Sequence, residues 1–156
     1  MQIYCWISGL NGVYWSTTGT SRAGTGSSGA NFNQLSSPTG ITFDSSDNLY
    51  VVDGGNYRVL KYAPGVTNGT IVAGNGTSGV ALNQFSTGTR YIVVDSAQNL
   101  YISDTYNNRA MYWPNGSSSG IMIAGSGSYG TALNQTAYPY GLWLDSNASL
   151  FIAEYQ

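Results

Sequence analysis

The stretch ITFDSSDNLYVVDGGNYRVLKY (41–62) decides the fold, because the chain writes it three times. It returns as IVVDSAQNLYISDTYNNRAMYW (92–113) and, cut short, as LWLDSNASLFIAEYQ (142–156). Asp44, Asp95 and Asp145 hold one place in the copies, Asp53, Asp104 and Glu154 a second, and Arg58 and Arg109 a third. Another block recurs in step: RAGTGSSGANFNQ (22–34), VAGNGTSGVALNQ (72–84) and IAGSGSYGTALNQ (123–135). Two independent anchors on one period of 50 or 51 residues mark a repeat architecture, for which periods of about 20–50 residues are usual.

Each period predicts four short strands. Pro38, Thr39 and Gly40 open ITFD, the first. Ser45, Ser46, Asp47 and Asn48 then turn the chain by side-chain-to-backbone bonding. LYVVD is the second strand, RVLKY the third, and Thr70, Ile71 and Val72 the fourth. The second strands show little polar–apolar alternation, which is how a sheet buried on both faces reads. No 3.6-residue helical period competes. Four-stranded antiparallel sheets stacked radially about an axis bury both faces, so the expected fold is all-β and of the β-propeller type.

The pattern P-x-G-I-x-x-D-x-x-x-N-L-Y-V-x-D-x-x-N-x-R-V resembles the NHL repeat. It stands here as Pro38, Gly40, Ile41, Asp44, Asn48, Leu49, Tyr50, Val51, Asp53, Asn56, Arg58 and Val59. The second copy keeps Asp95, Asn99, Leu100, Tyr101, Asp104, Asn107 and Arg109, but carries Thr89, Tyr91 and Ala110 where Pro, Gly and Val are expected. The third keeps Pro139, Gly141, Asp145, Leu150 and Phe151 and replaces the second Asp by Glu154. The resemblance implies a propeller, commonly six-bladed, built from NHL-type blades.

The period divides the chain into the degenerate end of a preceding blade (1–22), two repeats (23–72 and 73–123) and a truncated repeat (124–156). In the first segment CWISGLNGVYW (5–15) matches ISDTYNNRAMYW (102–113) with one residue skipped, and Gly19-Thr20 matches Gly69-Thr70. Ser8 then stands for the motif Asp and Asn11 for the motif Asn. About three blades' worth of strand is an incomplete ring. Three readings follow: a piece of a larger protein, two copies closing a six-bladed ring by two-fold symmetry, or a β-trefoil, against which the Asp-x-x-Asn-x-Arg pattern argues.

Composition narrows function. Histidine is absent and Cys5 is the one cysteine. Ser–His–Asp and Cys–His catalysis, His-ligated metals, internal disulfides and CxxC metal sites are therefore excluded. Some NHL-type propellers resemble a peptide-amidating lyase with histidine metal ligands; this chain has none to supply. The formal net charge is −2 with five basic residues, which argues against nucleic acid. No apolar run is long enough to span a membrane, and the N-terminus has no basic residue ahead of its apolar stretch. Five N-x-[ST] sequons, at Asn68, Asn75, Asn115, Asn134 and Asn147, and the low charge lean toward an extracellular setting or a larger secreted or membrane protein.

Of the seven acids, six sit on repeat positions: Asp44, Asp53, Asp95, Asp104, Asp145 and Glu154. A group needed once for chemistry has no reason to recur in every copy. Asp44, Asp53, Asn56, Arg58, Asp95, Asp104, Asn107, Arg109 and Asp145 are therefore expected to serve the scaffold, by turn capping and Asp–Arg pairing. The competing reading is a hydrolase or lyase-type propeller using these carboxylates and a bound cation. Binding candidates are the loop residues Asn56, Tyr57, Tyr106, Asn107 and Asn108, with Arg90 and Tyr91 at the start of a strand; Tyr129 and Tyr138 lie near the same turns. Tyr and Asn on loops offer contact area and adaptable hydrogen bonds. The expected role is a non-catalytic protein-binding or scaffolding module, with a protein or glycan ligand on the blade loops, no metal and no cofactor.

Overall fold

The Asp44 carboxylate accepts the backbone N–H groups of Ser46 and Asn48 at 2.9 and 3.0 Å, so the chain must reverse directly after ITF. Asp95 repeats the turn on Ala97 and Asn99, and Asp145 on Asn147 and Ser149. Each turn joins the first two strands of a sheet. The computed structural model describes residues 1–5 and 19–155.

The strands are β1 (Ile3–Cys5), β2 (Thr20–Ala23), β3 (Pro38–Phe43), β4 (Leu49–Asp53), β5 (Arg58–Tyr62), β6 (Thr70–Ala73), β7 (Thr89–Val94), β8 (Leu100–Asp104), β9 (Arg109–Trp113), β10 (Ile121–Gly125), β11 (Pro139–Leu144) and β12 (Leu150–Glu154). β3–β6 and β7–β10 form two antiparallel four-stranded sheets in chain order, while β1–β2 and β11–β12 are two-stranded. Short 3₁₀ turns, Gly54–Asn56 and Thr105–Asn107, join the second and third strands of the complete sheets. Apart from these turns the described chain is all β. The first strands lie side by side, β3 against β7 and β7 against β11, so the sheets stand as successive blades. This is a partial propeller.

Two cores hold the blades together. Tyr50 and Val52 on one face of the first sheet pack with Ile92, Ile102 and Met111 of the second. Phe85, from the connecting loop, meets Trp113 at 5.4 Å between ring centroids. On the opposite face Leu49, Val51, Leu60 and Tyr62 pack with Leu35, Ala23 and Ile3. That two-sided burial is why β4 carries no alternation: all five of its residues are buried. β12 is similarly apolar but mostly exposed.

The register of β1 corrects the alignment of the N-terminal segment. Ile3 pairs with Ala23 and Cys5 with Thr20, as Val59 pairs with Ala73 and Lys61 with Thr70, with the same shift in between. β1 is therefore a third strand, and Cys5 stands where Lys61 does rather than where Ile102 does. The third strands share no motif residue with residues 3–5, so the sequence offered no anchor there. The matches at Ser8 and Asn11 lie outside the described residues.

Candidate functional site

The repeat motif builds a clamp before it builds any site. Arg109 donates from Nε to Asp104 Oδ2 (2.9 Å), from Nη1 to the Val80 carbonyl (2.6 Å), and from Nη2 to the carbonyls of Ala81 (3.0 Å) and Gln84 (2.9 Å). Asn107 Nδ2 bridges Asp104 Oδ2 and the Gly79 carbonyl, each at 2.8 Å. Asp104 Oδ1 accepts the N–H (2.9 Å) and Oγ–H (2.7 Å) of Ser86. The first blade repeats this: Asp53 takes Arg58, Asn56 and the Ser36 N–H, while Arg58 and Asn56 reach Asn31, Gln34 and Gly29 carbonyls. Each Asp–Arg pair meets through one Nε bond rather than a bidentate fork, because the guanidinium's other nitrogens turn to the loop. The recurring Gly-rich block is thus the loop that the recurring motif grips. Buried charges are tolerated when paired and fully hydrogen-bonded.

Asp44 and Asp145 cap turns. Burial pushes the Asp44 carboxyl up, but hydrogen bonds from Asn48, Ser46 and Tyr50 outweigh it and hold the group below its ordinary 3.8. Asp145 is held below the same value chiefly by the Ser149 backbone N–H. Among the described residues no group of three or more His, Cys, Asp or Glu side chains could hold a metal ion. No helix among them is long and apolar enough to cross a membrane.

The non-repeating residues gather elsewhere. A cleft of about 1050 Å³ opens between the second sheet and β11–β12, lined by Arg90, Tyr106, Asn108, Tyr138, Tyr140 and Tyr155 among others. The Arg90 guanidinium lies 5.7 Å from the ring centres of both Tyr106 and Tyr140, a cation held between two π faces. Its Nη2 meets Tyr106 Oη at 3.3 Å, while its Nε is buried with no hydrogen-bond partner among the described residues. Tyr138 packs edge-on against Tyr106 (6.1 Å) and against Tyr129 (5.2 Å). Asn108, in the left-handed region at φ 46°, accepts the Tyr138 N–H with its Oδ1 at 3.2 Å and fixes that loop.

Of the sequence's binding candidates, Arg90, Tyr106 and Asn108 meet in this cleft. Asn56 and Asn107 belong to the clamps. Tyr57 caps the first 3₁₀ turn, and Tyr91 anchors its N–H on Ser103 Oγ. Tyr140 and Tyr155 are cleft residues that the sequence reading did not name. A signal existed for Tyr140: register aligns it with Thr39 and Arg90, one strand position whose occupant changes from blade to blade.

A β-propeller segment is what this fold defines. Residues 35–62 match the family model of the NHL repeat, so the chain carries an NHL repeat. A solved structure of streptogramin B lyase, a β-propeller-type protein, superposes with a TM-score of 0.50 at 19% sequence identity, over 76% of this chain and 34% of that one. The chain thus spans about a third of that protein's length. A search of curated proteins finds no match.

Proposed function

We propose that the chain is a non-catalytic NHL propeller segment that binds a protein partner through the cleft around Arg90. The observation that carries this is the Arg90 side chain, which lines the cleft with its guanidinium 5.7 Å from the ring centres of both Tyr106 and Tyr140. A guanidinium beside aromatic rings takes a carboxylate well. Tyr and Arg are the residues that anchor protein interfaces. The ligand class is a peptide segment offering an acidic side chain or terminal carboxylate beside an aromatic or aliphatic one. A neutral glycan would use the tyrosine faces but has no need of the cation. Against an enzyme stands the engagement of the repeat carboxylates: Asp44, Asp53, Asp95, Asp104 and Asp145 all accept structural hydrogen bonds.

Selection of displayed peptides on the purified chain tests the reading. Enriched peptides should carry Asp, Glu or a C-terminal carboxylate. They should bind Arg90→Ala at least about tenfold more weakly, a loss of about 1.4 kcal/mol, and Asp47→Ala unchanged. Equal binding to Arg90→Ala would refute it.

A further inference from the structure

A row of aromatic side chains runs out of the cleft. Tyr129 packs on Tyr138 with 5.2 Å between ring centres, and Tyr138 on Tyr106 with 6.1 Å. Tyr106 and Tyr140 then flank the Arg90 guanidinium. The four rings are between 38% and 55% exposed.

The first blade shows that the scaffold does not ask for these rings. The bridge Tyr129↔Thr136 repeats Ser28↔Leu35, so Tyr129 stands where that blade has Ser28. Tyr138, at φ 48°, precedes Pro139 as Ser37, at φ 45°, precedes Pro38. Tyr106 is the middle residue of its 3₁₀ turn, as Gly55 is of the other. Register sets Tyr140 with Thr39. Ser28, Ser37, Thr39 and Gly55 are all exposed, in a blade with its four strands in place. The exposure therefore belongs to the positions, and the rings were added to it. Exposed large side chains are ordinary when scattered, whereas a contiguous patch marks an interaction site. The row is also held in place. A Cβ at Gly88 would strike the Tyr106 ring, and Asn108 fixes the Tyr138 backbone. Side chains that are already ordered lose little freedom on binding.

The shape of the row selects the ligand. Neighbouring rings meet at 51° and 80°, so they enclose notches rather than form a flat shelf. A glycan strip stacks on coplanar faces; a chain with a compact ring on its backbone fits notches. A polyproline II segment is such a chain. It has little entropy to lose, and aromatic-lined grooves take it. Its rise of ~3.1 Å per residue makes two residues about one step of the row. Arg90 beside Tyr106 calls for a carboxylate at one end of that run.

We propose that the partner segment is proline-rich and lies in the polyproline II form along Tyr129, Tyr138 and Tyr106, with an acidic residue at the end that meets Arg90. This rests on the cleft being a carboxylate-binding peptide site, and adds the conformation and order of the peptide.

The probes are the labelled peptides Glu-Pro-Pro-Leu-Pro-Pro-Leu-Pro and Glu-Ala-Ala-Leu-Ala-Ala-Leu-Ala, with affinities for the purified chain read by fluorescence anisotropy. The proline peptide should bind at least about tenfold more tightly. Tyr106→Gly and Tyr138→Ser install the residues that the first blade carries at the same places, so the fold is expected to persist, which circular dichroism checks. Each should weaken the proline peptide at least about tenfold, the scale of an interface tyrosine, and leave the alanine peptide nearly unchanged. Arg90→Ala should weaken both. Equal affinity for the two peptides, or tyrosine variants without effect, would overturn the proline row while leaving the carboxylate site standing if Arg90→Ala still abolishes binding. Undiminished binding to Arg90→Ala would overturn both readings, as would binding of cellohexaose in place of either peptide.

Discussion

Replacing Asp104 by Ala tests whether the clamp is what holds the blades. The change removes the acceptor for Arg109 Nε, Asn107 Nδ2, and the N–H and Oγ–H of Ser86. Arg109 is 4% exposed, so its charge would stay buried with only the neutral carbonyls of Val80, Ala81 and Gln84 as partners. Breaking a buried ion pair from one side costs about 3–5 kcal/mol. For a chain of this size each kcal/mol moves the melting temperature by about 2–4 °C, so the midpoint should fall by roughly 6–20 °C. Asp47→Ala is the control: its pair with Arg22 measures 3.2 Å and the Asp47 side chain is 65% exposed, and such pairs contribute about 0–1 kcal/mol. The assay is thermal unfolding of the wild type and both variants, followed by circular dichroism and by tryptophan fluorescence. A midpoint for Asp104→Ala within about 2 °C of that for Asp47→Ala would refute the assignment of the motif to the scaffold. The double variant Asp104→Leu, Arg109→Met should recover part of the loss, because it removes the stranded charge as well.

Two further outcomes are expected. Asp44 has a folded pKa below its unfolded value, so its contribution to stability is complete above about pH 4 and is lost as pH falls through the folded value, below 3.8. Asp44→Asn should therefore flatten the acid limb of the stability–pH curve below pH 3.8; an unchanged acid limb would contradict this. Gly74 and Gly76 share a left-handed backbone, φ 80° and 83°, but a Cβ at Gly74 would run into the Tyr57 carbonyl and the Phe85 ring, whereas one at Gly76 meets open space. Ala at Gly76 should cost about 1–2 kcal/mol and Ala at Gly74 clearly more, as urea midpoints would show; equal losses would refute the close approach.

The blades were legible because their determinants recur. Asp44 and Asp95 set the same turn, Leu49–Asp53 and Leu100–Asp104 write the same buried strand, and agreement between copies separates signal from accident. The cleft was harder to read for the opposite reason. Arg90 and Tyr140 occupy a strand position held by Thr39 in the first blade, and comparing copies treats such a residue as a departure from the pattern. Arg90 stood out by its charge among few cations, while Tyr140 is one of 13 tyrosines and carried no such mark. That Tyr106 and Tyr140 flank Arg90 depends on two blades meeting side by side, which no single period records. The N-terminal register was lost because β1 has no Asp or Arg to anchor it, and only its pairing with β2 reveals its place.

The clamp also sets a distance. One residue, Ser37, separates Ser36 from Pro38 at the start of β3, whereas Thr87 and Gly88 separate Ser86 from Thr89 at the start of β7. Ser36 and Ser86 are gripped alike by Asp53 and Asp104, and β3 and β7 pair with their neighbours in matching registers. The surplus residue, Thr87, stands out in solvent. The spacing of the blades is thus fixed by a hydrogen-bonded ruler rather than by the contour length of the chain between them, which is how a repeat of 50 residues and one of 51 come to build the same blade.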